Sequence, residues 1–365
     1  MKEHGALVTS IITLGPFHSA WRGPQRFLLT IDGEHVTDVE HQSDFNTRGC
    51  AERIPRLNMP EALHLVARIC GTCGVAHALS FCLALEQLCE LQPGERAQYI
   101  RSAAAELERA AMHLSAASRV IDAIGMASAA RLLVGLCHQA RLALQRLIGS
   151  LAAPDTLLPG GLGHALSAGD REELLVGLTR LNRSLYRQVD LLIDDRALLA
   201  RILDVGTVSR KAAEQLGVRG PIARASGIGR DTRVDQPYEA YAHIPMKPII
   251  QEGGDVHARL VVLLVEALES VKLAEQFIRE LPDGKWQGRI PTEFPKGRAY
   301  AVVEAARGPL RYIIESDGQR LTQVQIEPPR QLDRLLIRTL LSNACIDNAV
   351  AIIASADHCT SCAEL

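Results

Sequence analysis

The 365-residue chain is poor in aromatic residues, has no excess of either charge and contains no long apolar run. Aromatic residues make up 4% of the chain, and together with abundant alanine and leucine this favours helices over a β-sandwich. The formal net charge of −2 provides no general basic face, so we expect no nucleic-acid partner. A membrane helix needs about 18 or more apolar residues in a row. No segment reaches that length, and we predict no membrane span in this chain.

The nine cysteines are an odd number, in a chain whose start does not look like a signal peptide. An acidic residue, Glu3, follows Lys2 directly, and Pro16 comes soon after the short, interrupted apolar run that follows. A framework of disulfides is therefore not expected. Metal binding or redox use of some thiols is favoured instead.

Hydrophobic periodicity predicts a mainly α fold of the α+β class. We expect a bundle of long helices with a small N-terminal β-sheet and a short β-hairpin, and a metal site formed by the two ends of the chain. Strands are predicted at 6–14 and 26–39, the second range as a hairpin, because alternating apolar residues there flank turn signals. A further pair of strands is predicted around Arg307.

The helical part of the chain is predicted to contain several long amphipathic helices. Their expected N-caps include Ser128, Asp170 and Asp255, since side chains of these types accept hydrogen bonds from the first turn. The predicted long helices span residues 95–125, 128–151, 170–193, 255–281 and 331–354.

No internal repeat or linker divides the sequence, so we predict a single domain. Its expected parts are a β-rich segment 1–58 and a helical body 59–365, with a β insertion at about 297–325. The charge run from Arg101 to Arg109 is predicted to be a solvated face. Within and beyond it, Glu106, Arg109 and His113 are expected to form a buried polar network between long helices.

Two C-x-x-C pairs, Cys70 with Cys73 and Cys359 with Cys362, lie near opposite ends of the chain. Each spacing places two sulfurs on one side of a helical turn, so both pairs can converge on one site. Four thiolates suit zinc, an iron–sulfur group or another soft transition metal. Structural zinc pairs usually lie close in sequence and stabilise small modules, whereas this chain is long enough to build a large core. The remaining cysteines show no metal spacing and are expected to be small buried residues: Cys50, Cys82, Cys89, Cys137 and Cys345.

The residues around the two pairs carry a family resemblance. The string R-x-C-G-x-C-x-x-x-H from Arg68 to His77 resembles the first signature of the large subunit of nickel–iron hydrogenases, and D-x-C-x-x-C from Asp357 resembles the second. Further segments resemble the membrane-bound, energy-converting branch, which is similar to the quinone-site subunit of respiratory complex I. That subunit lacks these cysteines, so their presence favours the hydrogenase. The further segments are 15–18, 106–113, 224–228, 237–241 and 303–308.

The resemblance implies a nickel–iron centre with carbon monoxide and cyanide ligands on the iron. Cys70 and Cys359 match the terminal nickel ligands, and Cys73 and Cys362 match the sulfurs that bridge the two metals. The implied catalytic group also contains three residues besides Cys359, namely Arg307, Asp357 and His77.

Each of these three residues has an expected place. Arg307 matches an arginine held over the open metal site, and its alternative is a surface arginine of the hairpin. Asp357 is expected to pair with Arg307 or to cap the last turn. His77 lies one helical turn beyond Cys73, and we expect it to donate a hydrogen bond to that sulfur. Arg68 is as readily a structural ion pair as a functional group.

The resemblance also implies partners and a location. An iron–sulfur small subunit is expected to carry electrons, and membrane subunits that translocate protons or other ions are expected beside it. The implied location is cytoplasmic, peripheral on the inner face of the cell membrane. The alternative is a non-catalytic protein: a maturation scaffold, a hydrogen sensor, or a complex I-like coupling subunit with a structural zinc site.

Three positions depart from the family pattern. Ala51 stands where the family has a proton-relay carboxylate, with Glu52 one residue later. His358 stands where a proline is usual, and can be a neutral replacement, a proton carrier or an extra ligand. Leu365 stands three residues after the last cysteine, where many relatives have a histidine or arginine left by removal of a tail. With Ala51 at the relay position, protons would have to leave the site through Glu52 or by another route.

Overall fold

The computed structural model describes residues 9–149, 155–329 and 332–365. The chain begins with a three-stranded antiparallel sheet of β1 (Thr9–Leu14), β2 (Arg26–Asp32) and β3 (His35–Gln42). The turn between β2 and β3 contains Gly33 at φ 60°, a backbone conformation that glycine adopts without a steric penalty. This arrangement is the predicted hairpin. The predicted first strand is present from residue 9 onward, and residues 6–8 lie outside the described part.

The first half of the helical body contains one helix of 29 residues around which the others pack. This helix, α4, contacts α5, α11 and α13, and it is buried along most of its length because it lies between those three helices. The helices up to this point are α1 (Cys50–Arg53), α2 (Met59–Val66), α3 (Gly74–Cys89), α4 (Glu95–Ala123) and α5 (Ala127–Ile148).

After α5, β4 (Leu157–Leu158) and β5 (Gly161–Leu162) form a two-residue pairing, and the helices resume. Asp255 caps the last long helix of this group as predicted, since its side chain accepts from the amide of Ala258. The helices of this group are α6 (Ala168–Ile193), α7 (Arg196–Ile202), α8 (Arg210–Gln215), α9 (Gly220–Ala225), α10 (Thr232–Asp235) and α11 (Val256–Arg279).

Two of the predicted caps were wrong. The N-cap of α6 is Ser167, whose hydroxyl accepts from the amide of Asp170, so Asp170 lies inside the first turn. The helix α5 begins one residue before Ser128, after Met126, and that cap position makes no side-chain hydrogen bond. Both errors are shifts of two or three residues at a helix start, where neighbouring polar residues compete for the same role.

A second antiparallel sheet packs on α3. Its strands are β6 (Gly297–Ala305), β7 (Gly308–Ser316) and β8 (Leu321–Glu327), and the tight turn between β6 and β7 carries Arg307. Gly308 has φ 125° and lies against the backbone of Gly220, so a side chain at this turn would meet both strain and a neighbour. The sheet therefore holds Arg307 at a fixed point on the surface of α9.

The C-terminal helix predicted from 331 to 354 is divided into α12 (Arg334–Leu341) and α13 (Ala349–Ala356), and α14 (Thr360–Ala363) follows. Residue 331 lies outside the described part. The break occurs because residues 343–346 pair with the edge strand β3: the amide of Val36 donates to the Ala344 carbonyl at 2.9 Å, and the amide of Asn343 donates to the Val36 carbonyl at 3.1 Å. These bonds to a distant strand replace the hydrogen bonds of a continuous helix.

The buried charges correct one prediction and confirm another. Arg101 is completely buried and Arg109 almost so, so this run is not a solvated face. Arg109 lies 3.7 Å from Glu106, and His113 Nε2 lies 3.0 Å from Glu266 on α11, which is the predicted polar network between long helices.

The helices and small antiparallel sheets described above confirm the predicted fold, which is mainly α and of the α+β class. Among the described residues, none of the helices combines the length and apolar character that crossing a bilayer requires. The single-domain division stays a prediction.

Candidate metal centre

The two cysteine pairs lie in turns of the same kind. Cys73 is the N-cap of α3 and Cys359 is the N-cap of α14. In each pair the amide of the second cysteine donates to the carbonyl of the first at 3.3 Å, from Cys73 to Cys70 and from Cys362 to Cys359. Because each tight turn places its two side chains on one side, each pair presents both sulfurs in the same direction.

The fold brings the two pairs together. The sulfurs of Cys70 and Cys359 are 3.9 Å apart, although 289 positions separate them in sequence. The sulfurs of Cys70, Cys73 and Cys362 all lie within 4.8 Å of one another. All four residues are buried, with 1–6% of their surface exposed. Four thiolates bound tetrahedrally at about 2.3 Å would be roughly 3.8 Å apart, so this donor set fits a soft transition metal.

Interactions among the thiols favour ionisation of two of them. Hydrogen bonds from Cys359 and Cys362 lower the pKa of Cys70 to about 7. Hydrogen bonds from Cys362 and Cys70 lower the pKa of Cys73, and the positive charge of Arg307 lowers it further. The same contacts raise the pKa of Cys362, so that thiol keeps its proton while Cys70 and Cys73 ionise more readily. Thiolates are the metal-binding form of cysteine, and two of the four thiols are shifted towards it.

His77 lies where the motif placed it but contacts a different sulfur from the one predicted. Its Nε2 is 3.5 Å from Cys362 Sγ, whereas the expected partner was Cys73. Its Nδ1 is 2.7 Å from the hydroxyl of Tyr312 on β7. Burial lowers the pKa of His77 to about 3, so the ring is neutral near pH 7. With the tyrosine donating to Nδ1, the Nε2–H is directed at the sulfur. The partner differs because α3 turns His77 towards α14, which the spacing alone does not reveal.

Arg307 extends from the β6–β7 turn over the cysteine cluster. Its Nη1 donates to Cys73 Sγ at 3.3 Å, and its Nε lies 3.0 Å from Asp357 Oδ2. The Nε also donates to the Asp357 carbonyl at 2.7 Å. The side chain is 10% exposed, so it is not a surface arginine of the hairpin. Of the two expectations for Asp357, pairing with Arg307 is the one that the geometry shows.

Asp357 also pairs with two arginines that the sequence reasoning missed. Arg119 on α4 donates to Asp357 Oδ1, and Arg22 lies 3.9 Å from the same oxygen. Both arginines donate to the hydroxyl of Ser115, at 3.1 Å and 2.7 Å. One carboxylate therefore orders three guanidinium groups beside four thiols. Arg119 is one residue in a long helix, and no sequence signal distinguishes it from the other charged residues of α4.

Glu108 is a second residue that the sequence reasoning did not single out. Its two carboxylate oxygens accept from the amides of Val75 and Ala76 at 2.8 and 3.0 Å, in the first turn of α3. The first amides of a helix have no partner within the helix, so Glu108, by accepting from two of them, fixes the helix start that carries Cys73. Burial raises the pKa of Glu108 to about 8, although the two amides oppose this rise. In the sequence, Glu108 could have been noticed because it lies in the 106–113 segment, which carries part of the family resemblance.

The three departures from the family pattern lie in different surroundings. Glu52 is exposed and lines a surface groove together with Ala51 and Leu365. His358 is buried, its Nδ1 accepts from the Leu332 amide at 3.3 Å, and burial lowers its pKa to about 4. Burial therefore favours the neutral form of His358, and its ring lines the cavity at the cysteine cluster.

Arg68 and the remaining cysteines lie away from the cluster. Arg68 pairs with Asp155 in an exposed, bidentate ion pair, with a second contact of 2.5 Å, so the structural alternative holds for this residue. The prediction of buried thiols is confirmed for Cys50, Cys82 and Cys137 and is wrong for Cys89 and Cys345, which are partly exposed. Within the described ranges, no other group of three metal-binding side chains converges as these cysteines do.

A small cavity opens on the cysteine cluster. It has a volume of about 40 Å³. A single water-sized molecule needs roughly 10–15 Å³ measured in this way, so the cavity admits two to four such molecules. Most of the remaining wall is apolar, with side chains from α9, α11, α12, β6 and β7, and Arg219, Ser355 and His358 are further polar residues in it. Its polar end is formed by Cys73, Cys359, Cys362, Arg307 and Asp357.

Comparison with known proteins gives a family and a fold. The family model described as "Respiratory-chain NADH dehydrogenase, 49 Kd subunit" matches residues 139–292 and 289–364, which together cover 226 of the 365 positions. The "Carbon monoxide-induced hydrogenase" of Rhodospirillum rubrum is 28% identical over 98% of this chain and 99% of its own length. The "Membrane-bound hydrogenase subunit alpha" of Pyrococcus furiosus is 29% identical over 97% of this chain and 87% of its own.

Relatives of a second kind match almost equally well. One subunit of the NADH-quinone oxidoreductase of Clostridium beijerinckii is 28% identical over 95% of this chain and 94% of its own length. Among solved structures, a chain of the membrane-bound sulfane sulfur reductase, an archaeal respiratory membrane complex, superposes with a TM-score of 0.91 over 98% of both chains. Its sequence identity is 23%, so this match concerns the fold alone.

Proposed function

The chain belongs to the family of the 49 kDa subunit of respiratory-chain NADH dehydrogenase, and we propose that it is the catalytic subunit of a nickel–iron hydrogenase, which interconverts H2 with protons and electrons. The observation that carries the proposal is the cavity at the cysteine cluster, with Arg307 fixed beside Cys73. Three of the four cysteines line this cavity, which includes the space that the metals themselves would fill. A buried cavity lined by thiols and a fixed cation is what a catalytic metal centre needs.

The lining of the cavity combines apolar side chains with the polar groups beside the cysteines. The apolar part of the wall favours a molecule without hydrogen-bonding groups, such as dihydrogen. The volume of about 40 Å³ includes the space that the metals would fill.

The residues that would hold the metals are the four cysteines, Cys70, Cys73, Cys359 and Cys362. When bound, a nickel–iron centre supplies the Lewis-acid and redox chemistry that cleaves or forms the H–H bond. Arg307 provides a fixed positive charge at the polar end of the cavity, where charge separates during the reaction.

Several residues of the chain orient the thiolates. His77 directs its Nε2–H at Cys362, and Tyr312 holds the opposite ring nitrogen. A hydrogen bond to a ligand sulfur fixes its orientation and tunes its basicity. The hydroxyl of Thr72 lies 3.0 Å from Cys70 Sγ and serves the same purpose.

Fixed cations offset the charge of the proposed centre. Arg22, Arg119 and Arg307 surround a single carboxylate, that of Asp357. A net positive charge at this place complements four thiolates and anionic cyanide ligands, since burying like charges without counter-ions is unfavourable. Without a negatively charged centre beside them, these three partly buried arginines would have too few counter-ions.

The proposal includes partners and a location. Relatives carry the names of membrane-bound hydrogenase and of parts of membrane complexes. We therefore place this chain in a membrane-associated energy-converting complex, beside an iron–sulfur small subunit that carries electrons and membrane subunits that translocate protons or other ions. In this assembly the chain is peripheral, on the inner face of the cell membrane.

One observation favours a second candidate, a complex I-like coupling subunit with a structural zinc ion. The 3.9 Å distance between Cys70 and Cys359 sulfurs is also what a single tetrahedral zinc ion requires. Relatives named as quinone oxidoreductase subunits are as similar as the hydrogenases. A non-catalytic maturation scaffold or sensor is the remaining alternative.

Metal analysis of anaerobically purified protein separates these functions. We expect about one nickel and one iron per chain, together with infrared bands of carbon monoxide and cyanide ligands and measurable hydrogen uptake. Cys359→Ser should abolish the uptake and leave the chain folded, because only one ligand changes. Cys345→Ser is the matched control, since that cysteine is partly exposed and lies outside the cluster. Stoichiometric zinc without these infrared bands would refute the hydrogenase.

A further inference from the structure

A second group of buried ionisable residues lies near the C-terminal end of α3, at the opposite end of that helix from Cys73. Arg101 on α4 donates from Nη2 to Glu86 Oε1 at 2.6 Å and from Nη1 to Glu239 Oε1 at 2.7 Å. Its Nε donates to the Gly161 carbonyl at 3.2 Å. Two carboxylates thus share a single arginine. We refer to Glu86, Arg101 and Glu239 as the shared-arginine cluster.

The cluster leaves one oxygen of each carboxylate without a partner. Glu86 and Glu239 are 4% and 9% exposed. Among the described residues, neither Glu86 Oε2 nor Glu239 Oε2 has a hydrogen-bond partner. Leaving a buried carboxylate oxygen unpaired costs about 1–3 kcal/mol or more, so this arrangement calls for a ligand at those atoms.

Both carboxylates line one surface groove. The groove lies between the end of α3 and the segment around residue 238, and it is open to solvent above the two carboxylates. Its lining includes Glu90 and three glutamines, and no arginine or lysine. The groove is therefore acidic, and a ligand for the unpaired oxygens has to be positively charged.

The charge count selects the ligand. Two carboxylates and one guanidinium give the shared-arginine cluster a net charge of −1, and a buried net charge is unfavourable. No third carboxylate, histidine or cysteine converges on this pair among the described residues, so a metal-binding set of three is missing. We propose that Glu86 and Glu239 together bind one exchangeable proton, taken up from the groove.

The backbone at Glu239 supports a functional role. Glu239 has φ 48°, a left-handed conformation that few residues other than glycine adopt. Strain of this kind is retained where a side chain must be aimed in a particular direction. Here the strained residue is one of the two carboxylates with an unpaired oxygen. The conformation directs its carboxylate into the contact with Arg101.

The groups that face the pair come from all the elements packed around it. Burial and the charge of Glu86 raise the pKa of Glu239, and the charge of Arg101 on α4 lowers it, so that the pKa of Glu239 is raised overall. Cys82 on α3 stays neutral because burial raises the pKa of its thiol. Glu90, the residue directly after α3, is exposed. The carbonyls of 158 and 161 accept from Arg101 and leave its charge unchanged. A single proton between two carboxylates is the state that this surrounding favours.

Tyr238 connects the groove with the interior. It lines the groove beside Glu239, and its hydroxyl accepts from the amide of Glu304 at 3.1 Å. Its ring packs on Tyr241, whose hydroxyl donates to Glu106 at 2.5 Å. The shared-arginine cluster is thus the solvent-facing end of a buried polar region that continues to the hairpin carrying Arg307.

Both Oε2 atoms lie beneath the surface of the groove, so the proton reaches one of them when the local packing opens. A hydronium ion then transfers its proton to that Oε2 and leaves as water, and the reverse step returns it. No electrons move. As a proton reservoir for hydrogen chemistry the pair rests on the proposed function, but its ability to bind the proton does not.

Infrared difference spectroscopy of the full-length protein tests the proposal. At pH 7 the wild type should show the carbonyl stretch of a protonated carboxyl group that shifts in D2O. Both Glu239→Gln and Glu86→Gln should lose one such band, because glutamine is neutral and the remaining carboxylate then balances Arg101 alone. Glu90→Gln is the matched control from the same groove and should retain the band.

The wild-type titration completes the test. The band should disappear at a pH well above the ordinary glutamate pKa of about 4.3. If no band is lost in either variant at pH 7, or if the band depends on added sodium, potassium or calcium ions, the proposal is wrong. If one variant fails to fold, the other variant and the wild-type titration still decide. Because none of these measurements needs a loaded metal site, a failed hydrogenase assay leaves them unaffected.

Discussion

At the scale of single residues, Asp357 organises the positive charges beside the cysteine cluster. Its backbone has φ 47°, so it ends α13 in the left-handed region and turns its side chain towards three arginines. Aspartate and asparagine adopt this conformation more readily than most residues. Asparagine could therefore adopt the same backbone conformation at position 357. What the aspartate adds is the negative charge of its carboxylate.

Asp357→Asn tests this role. Asparagine keeps the backbone conformation and the shape of the side chain but removes the charge that holds Arg307, Arg119 and Arg22. Arg307 should then leave its place beside Cys73, and hydrogen turnover should fall by about 10²-fold, as when one preorganised group is lost. Stability should fall by about 2 kcal/mol, since three partly buried arginines lose their carboxylate.

The measurements for Asp357→Asn are metal content, infrared spectra and denaturant unfolding. Nickel and iron should stay at the wild-type level, because no ligand changes, while the carbon monoxide and cyanide bands shift. Asp347→Asn, an exposed change in the same C-terminal region, should alter none of these. Loss of metal in Asp357→Asn, with unchanged band positions in the remaining centre, would contradict the electrostatic role.

The sequence predicted these residues unequally. The two cysteine pairs could be found because the C-x-x-C spacing is set by a local turn, whereas Arg307 and Asp357 were indicated by the resemblance to a known family. Glu108 and Arg119 could not be found, because their partners lie 33 and 238 positions away and become neighbours only when α4 packs against α3 and α13. The sulfur that His77 contacts was missed for the same reason.

At the scale of elements, a buried ionic network joins α4, α9, α10, α11 and β6. Arg224 on α9 pairs with Glu266 on α11 and, at 2.9 Å, with Glu304 on β6. Arg233 on α10 lies 2.9 Å from Glu106 on α4. Each of these residues is buried, so every pair needs its partner. The network fixes β6, and with it the hairpin that carries Arg307.

Glu266 makes this network sensitive to acid. Burial alone would raise the pKa of Glu266, but the charge of Arg224 and contacts from His113 lower it to about 2. The unfolded value is about 4.3, so the folded form binds the proton more weakly. The resulting stability is fully present above pH 4.3 and is lost as the pH falls towards 2. Its size is about 3 kcal/mol, from a shift of roughly two units.

Glu266→Gln should therefore flatten the pH dependence of stability between pH 5 and pH 2. The measurement is the free energy of unfolding from denaturant titrations at several pH values. The variant will also be less stable at pH 7, so the slope is compared and not the absolute value. Glu269→Gln, at a partly exposed position on the same helix, should keep the wild-type slope. An unchanged slope in Glu266→Gln would show that the acid sensitivity arises elsewhere.

The element boundaries show what sequence patterns predict well. Long periodic helices and the hairpins were found, since they depend on local apolar spacing and turn residues. The division between α12 and α13 was missed, because it depends on hydrogen bonds between residues 343–346 and the edge of β3, some 300 positions away. A helical pattern does not reveal that a distant strand competes for the same amides.

At the scale of the whole molecule, the two ends of the chain are joined at the cysteine cluster and again beside it. The carboxylate of Glu364 accepts from the amides of Asp44 and Asn46 at 2.8 and 2.5 Å, and Arg48 donates to the Ser361 carbonyl at 2.7 Å. These contacts hold the C-terminal turn against an N-terminal loop without any metal. The proposed metal would add a second closure of the same chain ends through its four cysteine ligands.

Removal of the metal should therefore loosen the chain ends more than the helical core. A ligand that binds only the folded form stabilises it, and here the bound atoms come from segments 70–73 and 359–362. We expect faster amide hydrogen exchange in these two segments in the metal-free protein, with little change in α11 as the internal control. In metal-free Glu364→Gln the increase at 359–362 should be larger, because an amide cannot accept from both loop amides as the carboxylate does. Equal increases throughout the chain would instead mean that the metal stabilises the fold as a whole, and that Glu364 and Arg48 do not hold the C-terminal turn by themselves.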